Sequence, residues 1–211
     1  MFKELREKEK QTRQQLIVDT AESIFQTKGH EAITIRKVAD KVGVSAGTIY
    51  TYFKDKEEML LCVLLNNLEQ LASKMKKSLQ IDDPIACILS LANDYKEYYQ
   101  RFGRFADVVN YMTKKDSDSV SESFQEQLRQ RVLNIFSMLE KRLEEPDMAQ
   151  IRKNLPSNRA AIILWAAIQG VSQVTLPSAI DPGVQWFQFD KMVNDMLIMV
   201  TETETSLENE N

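Results

Sequence analysis

Residues 34–56 run TIRKVADKVGVSAGTIYTYFKDK, and the fold turns on how they are read. Thr34 stands where an N-cap belongs, and Ile35, Val38, Ala39 and Val42 follow at the spacing of one helical face. Gly43 ends that short helix and supplies the positive φ of a sharp turn. Ser45 offers a second cap, and Ile49, Tyr52 and Phe53 form the inner side of a second short helix. Ala39 is small enough for the helices to cross closely, and Val44 fills the angle between them. Two short helices joined by a glycine-containing turn make a helix-turn-helix. The outward residues Ala46, Gly47, Thr48, Tyr50 and Thr51 are small or hydrogen-bonding, which suits a helix that enters a DNA groove. Ser45, at a helix N-terminus, is placed to sit against a phosphate. The plainer alternative is a helical hairpin with surface Thr and Tyr.

Helical spacing continues on both sides. Leu16, Ile17, Ala21, Ile24 and Phe25 mark a helix over 12–28, with Gly29 as its stop. Ahead of it, Lys3, Arg6, Lys8 and Lys10 belong either to a phosphate-brushing arm or to a solvated extension of that helix. Asp55 with Glu58 forms a box-like start for a long helix over 56–79. Asp83-Pro84 starts another, expected to run to Phe102 and break at Gly103, with a shorter helix over 104–113. KKDSDSVS at 114–121 is a loop, and Leu128, Val132, Ile135, Phe136, Leu139 and Leu143 mark a further helix. Residues 146–154 form an irregular segment or short helical turn. A strongly apolar helix over 158–176 and a last helix over 185–203 complete the chain, ahead of a polar tail. With no internal repeat and almost no strand pattern, the fold class is all-α.

Composition narrows the function classes. The chain has 211 residues, 43% of them hydrophobic, enough for a buried core. No stretch approaches the roughly 18 apolar residues of a membrane span, and MFKELREKEKQTR at the start lacks the apolar block of a secretory signal. Cys62 and Cys87 have no metal or redox spacing and suit a reducing cytosol. A single histidine, His30, and the absence of phosphate-loop, nucleophile-elbow or zinc motifs argue against an enzyme, a metal and a cofactor. Residues 1–56 hold eleven Lys and Arg against eight Asp and Glu, a net of +3, while 57–211 carry 16 against 23, a net of −7. A basic head on an acidic body fits a nucleic-acid reader joined to a regulatory or oligomerising body.

The run from Ala21 to Leu60 resembles the TetR family of bacterial transcriptional regulators. The resemblance rests on Phe25, Gly29, Thr34, Ile35, Ala39, Gly43, Val44, Ser45, Gly47, Thr48, Ile49, Tyr50, Tyr52, Phe53, Lys56 and Leu60. It implies about nine helices, with a three-helix DNA-binding head over 1–56 and a ligand-binding and dimerisation body over 57–211. It implies phosphate contacts from Thr34 and Lys56, and contacts to backbone or base edges from Ser45, Thr48, Tyr50 and Tyr52. Ala46, Gly47 and Thr51 match positions facing the groove floor, and Arg36 one that reaches a base or a phosphate. Phe25, Val38, Ala39, Ile49 and Phe53 are core, and Tyr52 is divided between contact and core. No Arg, Lys, Asn or Gln lies between Ser45 and Phe53, so bidentate purine readout is unavailable to this helix. Specificity then leans on Tyr50, Thr51, thymine-methyl contact from Ala46 and DNA shape.

Residues 158–176 are apolar nearly all round, which requires burial on more than one side. With the last helix they are expected to form a four-helix homodimer interface, as the family does, and hence to imply a palindromic operator. Aromatics crowd 95–112, and Phe102, Phe105, Tyr111, Met112, Phe124, Trp165 and Gln169 are the expected ligand-binding residues. The ligand expected is a small, largely apolar organic molecule. The function expected is a cytoplasmic repressor released from its operator when ligand tilts the helix over 56–79. The alternative is a ligand-independent regulator or an activator using the same head.

Overall fold

The computed structural model describes residues 2–29, 32–115, 122–175 and 189–202, without the side chains of 102, 104–115, 174, 175 and 200–202. All regular structure among the described residues is helical: α1 (Phe2–Lys28), α2 (Ile35–Val42), α3 (Ala46–Tyr50), α4 (Lys56–Ser78), α5 (Pro84–Lys115), α6 (Glu122–Leu143), a 3-10 turn (Pro146–Met148), α7 (Ala149–Arg152), α8 (Ser157–Thr175) and α9 (Phe189–Glu202).

Several boundaries differ from those expected of the sequence: α3 ends at Tyr50, leaving Tyr52 and Phe53 beyond it, and α5 runs through Lys114 and Lys115, where a loop is expected. Helix α1 begins at Phe2, so the segment before Thr12 is the solvated extension and not a free arm. Arg13 pairs with Glu9 one turn back at 2.6 Å, and Thr12 donates to the Lys8 carbonyl at 2.9 Å, both within the helical repeat. The expected break at Gly103 is absent, and α5 is one helix from Pro84 to Lys115. A glycine inside a helix costs only about 1 kcal/mol relative to alanine. It stops a helix when the chain turns left-handed there, and Gly103 continues into further helical residues.

The chain divides into two units, Met1–Leu68 with Arg101–Arg129, and Glu69–Gln100 with Gln130–Asn211. In the first, α1 packs on α2 and α2 on α3. Ile17, Ala21 and Phe25 from α1, Val38 and Ala39 from α2, Ile49 from α3, and Phe53 and Met59 beyond it are all buried. Glu22 is buried among them, accepting from Gln26 at 2.9 Å and from Asn66 of α4 at 3.3 Å.

In the second unit, α8 and α9 pack together and α7 packs on α9. Arg142, 5% exposed near the end of α6, organises the neighbouring loops. Its guanidinium donates to Asp147 at 2.6 and 2.8 Å, to Glu145 at 2.7 Å, and to the carbonyls of Ile81 and Asp82 at 3.1 and 3.3 Å. These bonds join the turn after α6 to the connection between α4 and α5. Hydrogen bonding to Arg142 holds the Asp147 carboxyl below its ordinary range. Arg142→Leu should destabilise the protein by about 2–3 kcal/mol, because charge-assisted bonds are lost and two carbonyls lose their donor. Urea unfolding of the two proteins measures this, and an unchanged midpoint would remove Arg142 from the list of structural ties.

Candidate nucleic-acid interface and ligand site

The turn between α2 and α3 is closed by the backbone itself. Gly43 adopts φ 83° and ψ 33°, and the N–H groups of Gly43 and Val44 both donate to the Ala39 carbonyl, at 2.9 and 3.0 Å. A Cβ at Gly43 meets nothing within 4 Å, so the demand for glycine comes from the backbone angle and not from crowding. Each helix start is capped as its sequence predicts. Thr34 Oγ1 accepts from the Lys37 N–H at 3.2 Å, and Ser45 Oγ accepts from the Thr48 N–H at 3.1 Å.

These bonds decide what each hydroxyl has left to offer. A capping hydroxyl that accepts from backbone keeps its own proton for an anion. Thr34 is in that position, at the start of a helix with no acidic residue in its first turn and with Arg36 and Lys37 exposed beside it. Ser45 Oγ and Thr48 Oγ1 lie 2.9 Å apart and share one proton, which leaves one O–H between them for an outside acceptor. Thr51 spends its proton on the Thr48 carbonyl at 2.7 Å, so it presents a methyl group and lone pairs outward. Tyr50 is 57% exposed. Ala46 is half-buried, while Gly47 and Thr51 lie open to solvent.

Tyr52 is half-buried, and its proximity, together with Glu9, lifts the Arg13 guanidinium of α1 above its ordinary value. Lys56, the first residue of α4, is half-buried. The start of α4 is already satisfied by carboxylates. Asp55 accepts from the Glu58 N–H at 2.7 Å, and Glu58 accepts from the Lys54 N–H at 2.5 Å. Any phosphate there meets a lysine side chain and not a bare helix end.

Of the expected ligand positions, Phe102, Phe105, Tyr111 and Met112 lie on α5, and their side chains fall outside the described residues. Phe124 is buried at the start of α6, in the first unit. Trp165 and Gln169 belong to the second unit, where Trp165 stands edge-on to Tyr95 at 4.8 Å and tilted against Phe136 at 5.6 Å. Gln169 Nε2 donates to the Tyr95 hydroxyl at 2.9 Å. Burial pushes the Tyr95 and Tyr98 phenols above their ordinary value, and for Tyr95 the Gln169 bond works against that shift. Elsewhere in this unit a cavity of about 40 Å³ opens among Leu143, Ile151, Leu164, Ala167, Met196 and Leu197. That is far below the roughly 300 Å³ of a small-ligand pocket, and neither Trp165 nor Gln169 lines it. Among the described residues no three His, Cys, Asp or Glu side chains could hold a metal, and no helix is long and apolar enough to cross a membrane.

One polar residue escaped the sequence reading. Asn67 of α4 is 1% exposed, and neither its amide nitrogen nor its oxygen has a hydrogen-bond partner. Such a group costs about 1–3 kcal/mol while unsatisfied. The signal was present: Asn67 falls four residues after Val63 and seven after Leu60, on the apolar face of its helix.

Residues 17–63 match the family described as bacterial regulatory proteins, tetR family. A fatty acid metabolism regulator protein of Bacillus subtilis is 30% identical over 73 residues, a match that spans 35% of this chain and 38% of that relative. The chain thus spans well under half the length of that relative. The HTH-type transcriptional regulator TtgR of Pseudomonas putida is 24% identical over 190 residues, or 86% of this chain and 89% of that protein. A TetR/AcrR-family regulator from Thermobifida fusca has the same fold, with a TM-score of 0.67 at 18% identity over 92% of this chain and 98% of that one.

Gly43→Ala should cost about 1–2 kcal/mol, the penalty for a side chain in a left-handed conformation. Chemical unfolding measures it, and because the strain lies in the turn that sets α3, operator affinity should fall with it. Wild-type stability in the alanine variant would mean that the turn relaxes out of the left-handed region.

Proposed function

We propose that this chain, which belongs to the TetR family, is a homodimeric transcriptional repressor that leaves a palindromic operator when its body binds a small, largely apolar organic molecule. Residues 1–56 read double-stranded DNA, and 57–211 dimerise and sense. The observation that carries the DNA half is the pairing of an exposed Tyr50 on α3 with the acid-free, capped start of α2 at Thr34, Arg36 and Lys37. Tyr50, Ala46, Gly47 and Thr51 face the groove, and Thr34, Ser45, Thr48 and Lys56 take phosphates. Tyr52, half-buried just beyond α3 and near Arg13 of α1, serves more in packing than in contact with DNA.

Dimerisation draws on the apolar side chains that α8 and α9 leave in solvent: Ile162, Ile163, Ile198 and Met199 are 59, 51, 41 and 72% exposed. Exposed apolar residues clustered on two packed helices mark a protein interface. A two-fold dimer presents its recognition helices to successive major grooves about 34–36 Å apart. Ligand that favours another spacing lowers operator affinity by its differential affinity for the two states. An apolar ligand accords with the B. subtilis relative, whose name gives it a role in fatty acid metabolism. The protein acts in the cytoplasm, where its DNA is.

The test begins with an operator selected from random duplexes. Tyr50→Ala and Lys56→Ala should each weaken binding in gel shifts without changing helicity, and Lys56→Ala should lower the salt slope by about one unit, for one lost phosphate contact. Unchanged affinity in both would sink the interface assignment. Ile162→Glu should reduce the particle seen by light scattering from twice the 24.3 kDa chain mass to one chain, with operator affinity lost alongside. A wild type that is monomeric at micromolar concentration would end the two-fold reading.

A further inference from the structure

We infer that Asn67 is the polar anchor of the ligand site, and that it selects an apolar molecule ending in a hydroxyl or amide over one ending in an ionised carboxylate. This rests on the ligand-responsive reading above and adds the residue and the head group to it. Five polar or charged side chains are buried among the described residues: Glu22, Asn67, Ser78, Arg142 and Ser172. Four are satisfied within the protein. Glu22 accepts from Gln26 and Asn66, Ser78 bonds Ser90 and Asp94, Arg142 is held by Asp147 and Glu145, and Ser172 donates to the Ile168 carbonyl. Asn67 alone among them has no bond on either its nitrogen or its oxygen. Its face-mates on α4, Leu60, Val63 and Leu64, are buried and apolar and offer it nothing.

A buried polar group left open by the protein calls for a partner from outside it, and a ligand's polar end can supply one. The carboxamide presents two donor protons and one acceptor oxygen, and its complement both gives and takes a hydrogen bond. A hydroxyl or an amide does so. An ionised carboxylate bonds the N–H side only, leaves the Asn67 oxygen unsatisfied, and sets a charge against the apolar face of α4. The preceding residue, Asn66, donates to Glu22 of α1 at 3.3 Å, about 100° away around the helix. Rotation of α4 as Asn67 engages a ligand therefore moves the bond that ties α4 to the head, so the anchor and the coupling lie on adjacent residues.

The test uses the full-length protein, its selected operator, and three probes of one chain length below their micellar concentrations: 1-dodecanol, dodecanamide and sodium dodecanoate. Binding is read by calorimetry and stability by thermal unfolding. The alcohol and amide should bind wild type at least tenfold more tightly than the carboxylate. Asn67→Leu should erase that preference, and without any probe should melt above wild type, since the open polar group is gone. The inference is overturned if no probe binds wild type, if the carboxylate binds as well as the others, or if the leucine variant keeps the preference. It is also overturned if that variant folds but melts below wild type, which would mean that Asn67 is bonded in solution, by an internal water for instance. The head-group series on wild type decides the matter should the variant fail to fold. Probes that release operator equally from wild type and variant would leave the repressor reading standing and remove the anchor. A preference lost in the variant, with no probe affecting operator binding, would do the reverse.

Discussion

What the head presents to solvent depends on the left-handed backbone at Gly43. Because that residue turns at φ 83°, the N–H groups of Gly43 and Val44 both reach the Ala39 carbonyl, and the chain reverses within two residues. The short helix that follows cannot hold its own conformation. With five residues, α3 lies well below the roughly 12–15 at which isolated helices become even marginal in water. It exists because Ser45 caps its start and because Ile49 and Phe53 are buried at 0 and 1% exposure. With the turn and these two anchors fixed, the direction of Tyr50 is fixed as well.

The hydrogen-bond economy of α3 then limits how it can discriminate among sequences. Thr51 has spent its proton on the helix, and Ser45 and Thr48 have one between them. No long amide or guanidinium side chain stands on this helix to pair with a purine edge. What remains is one tyrosine, small surfaces that permit close approach, and methyl groups suited to thymine. Such a helix depends on its flanks for affinity, and the two flanking helix starts are unlike. That of α2 has no acid in its first turn, whereas α4 begins behind Asp55 with Glu57 and Glu58. In the proposed interface, attraction for an anion is therefore weighted toward Thr34, Arg36 and Lys37, while Lys56 stands among neighbouring carboxylates.

The parts of this arrangement that the sequence made legible are those written in local chemistry. Thr34, Gly43, Ser45 and Asp55 announce caps and a turn through residue type alone, and the periodic apolar faces of α2 and α4 needed no tertiary information. The break expected at Gly103 failed because glycine is permissive: it allows a helix to end without requiring it to. The aromatic residues of the body were legible as a group but not in their roles. Tyr95, Phe136, Trp165 and Gln169 do converge, yet whether converging rings enclose space or fill it is settled by packing, which has no one-residue signature. Asn67 was passed over because periodicity counts apolar positions and looks past a single polar residue lying in register with them.

The tie between α1 and α4 has an energetic character that suits a joint. Burial pushes the Glu22 carboxyl above the usual carboxylate range, and the Asn66 bond and the charge of Arg101 only partly offset this. A folded-state value raised above the unfolded one means that the ionised group is held less comfortably in the protein than in water. Its contribution to stability is full below the unfolded value, near pH 4.3, and is lost as pH rises through the raised folded value. The contact thus joins a carboxyl whose ionised form burial disfavours to a 3.3 Å amide bond. Side chains such as Ile17, Val38 and Ile49 hold α1, α2 and α3 together with no comparable penalty. Met59 and Val63 of α4 share in that buried core, and beside it Asn66 ties α4 to α1 through two polar bonds of 3.3 Å, donating to Glu22 and accepting from Gln15. For the α4 tilt proposed above, polar links of that kind rearrange more readily than a further layer of apolar core would.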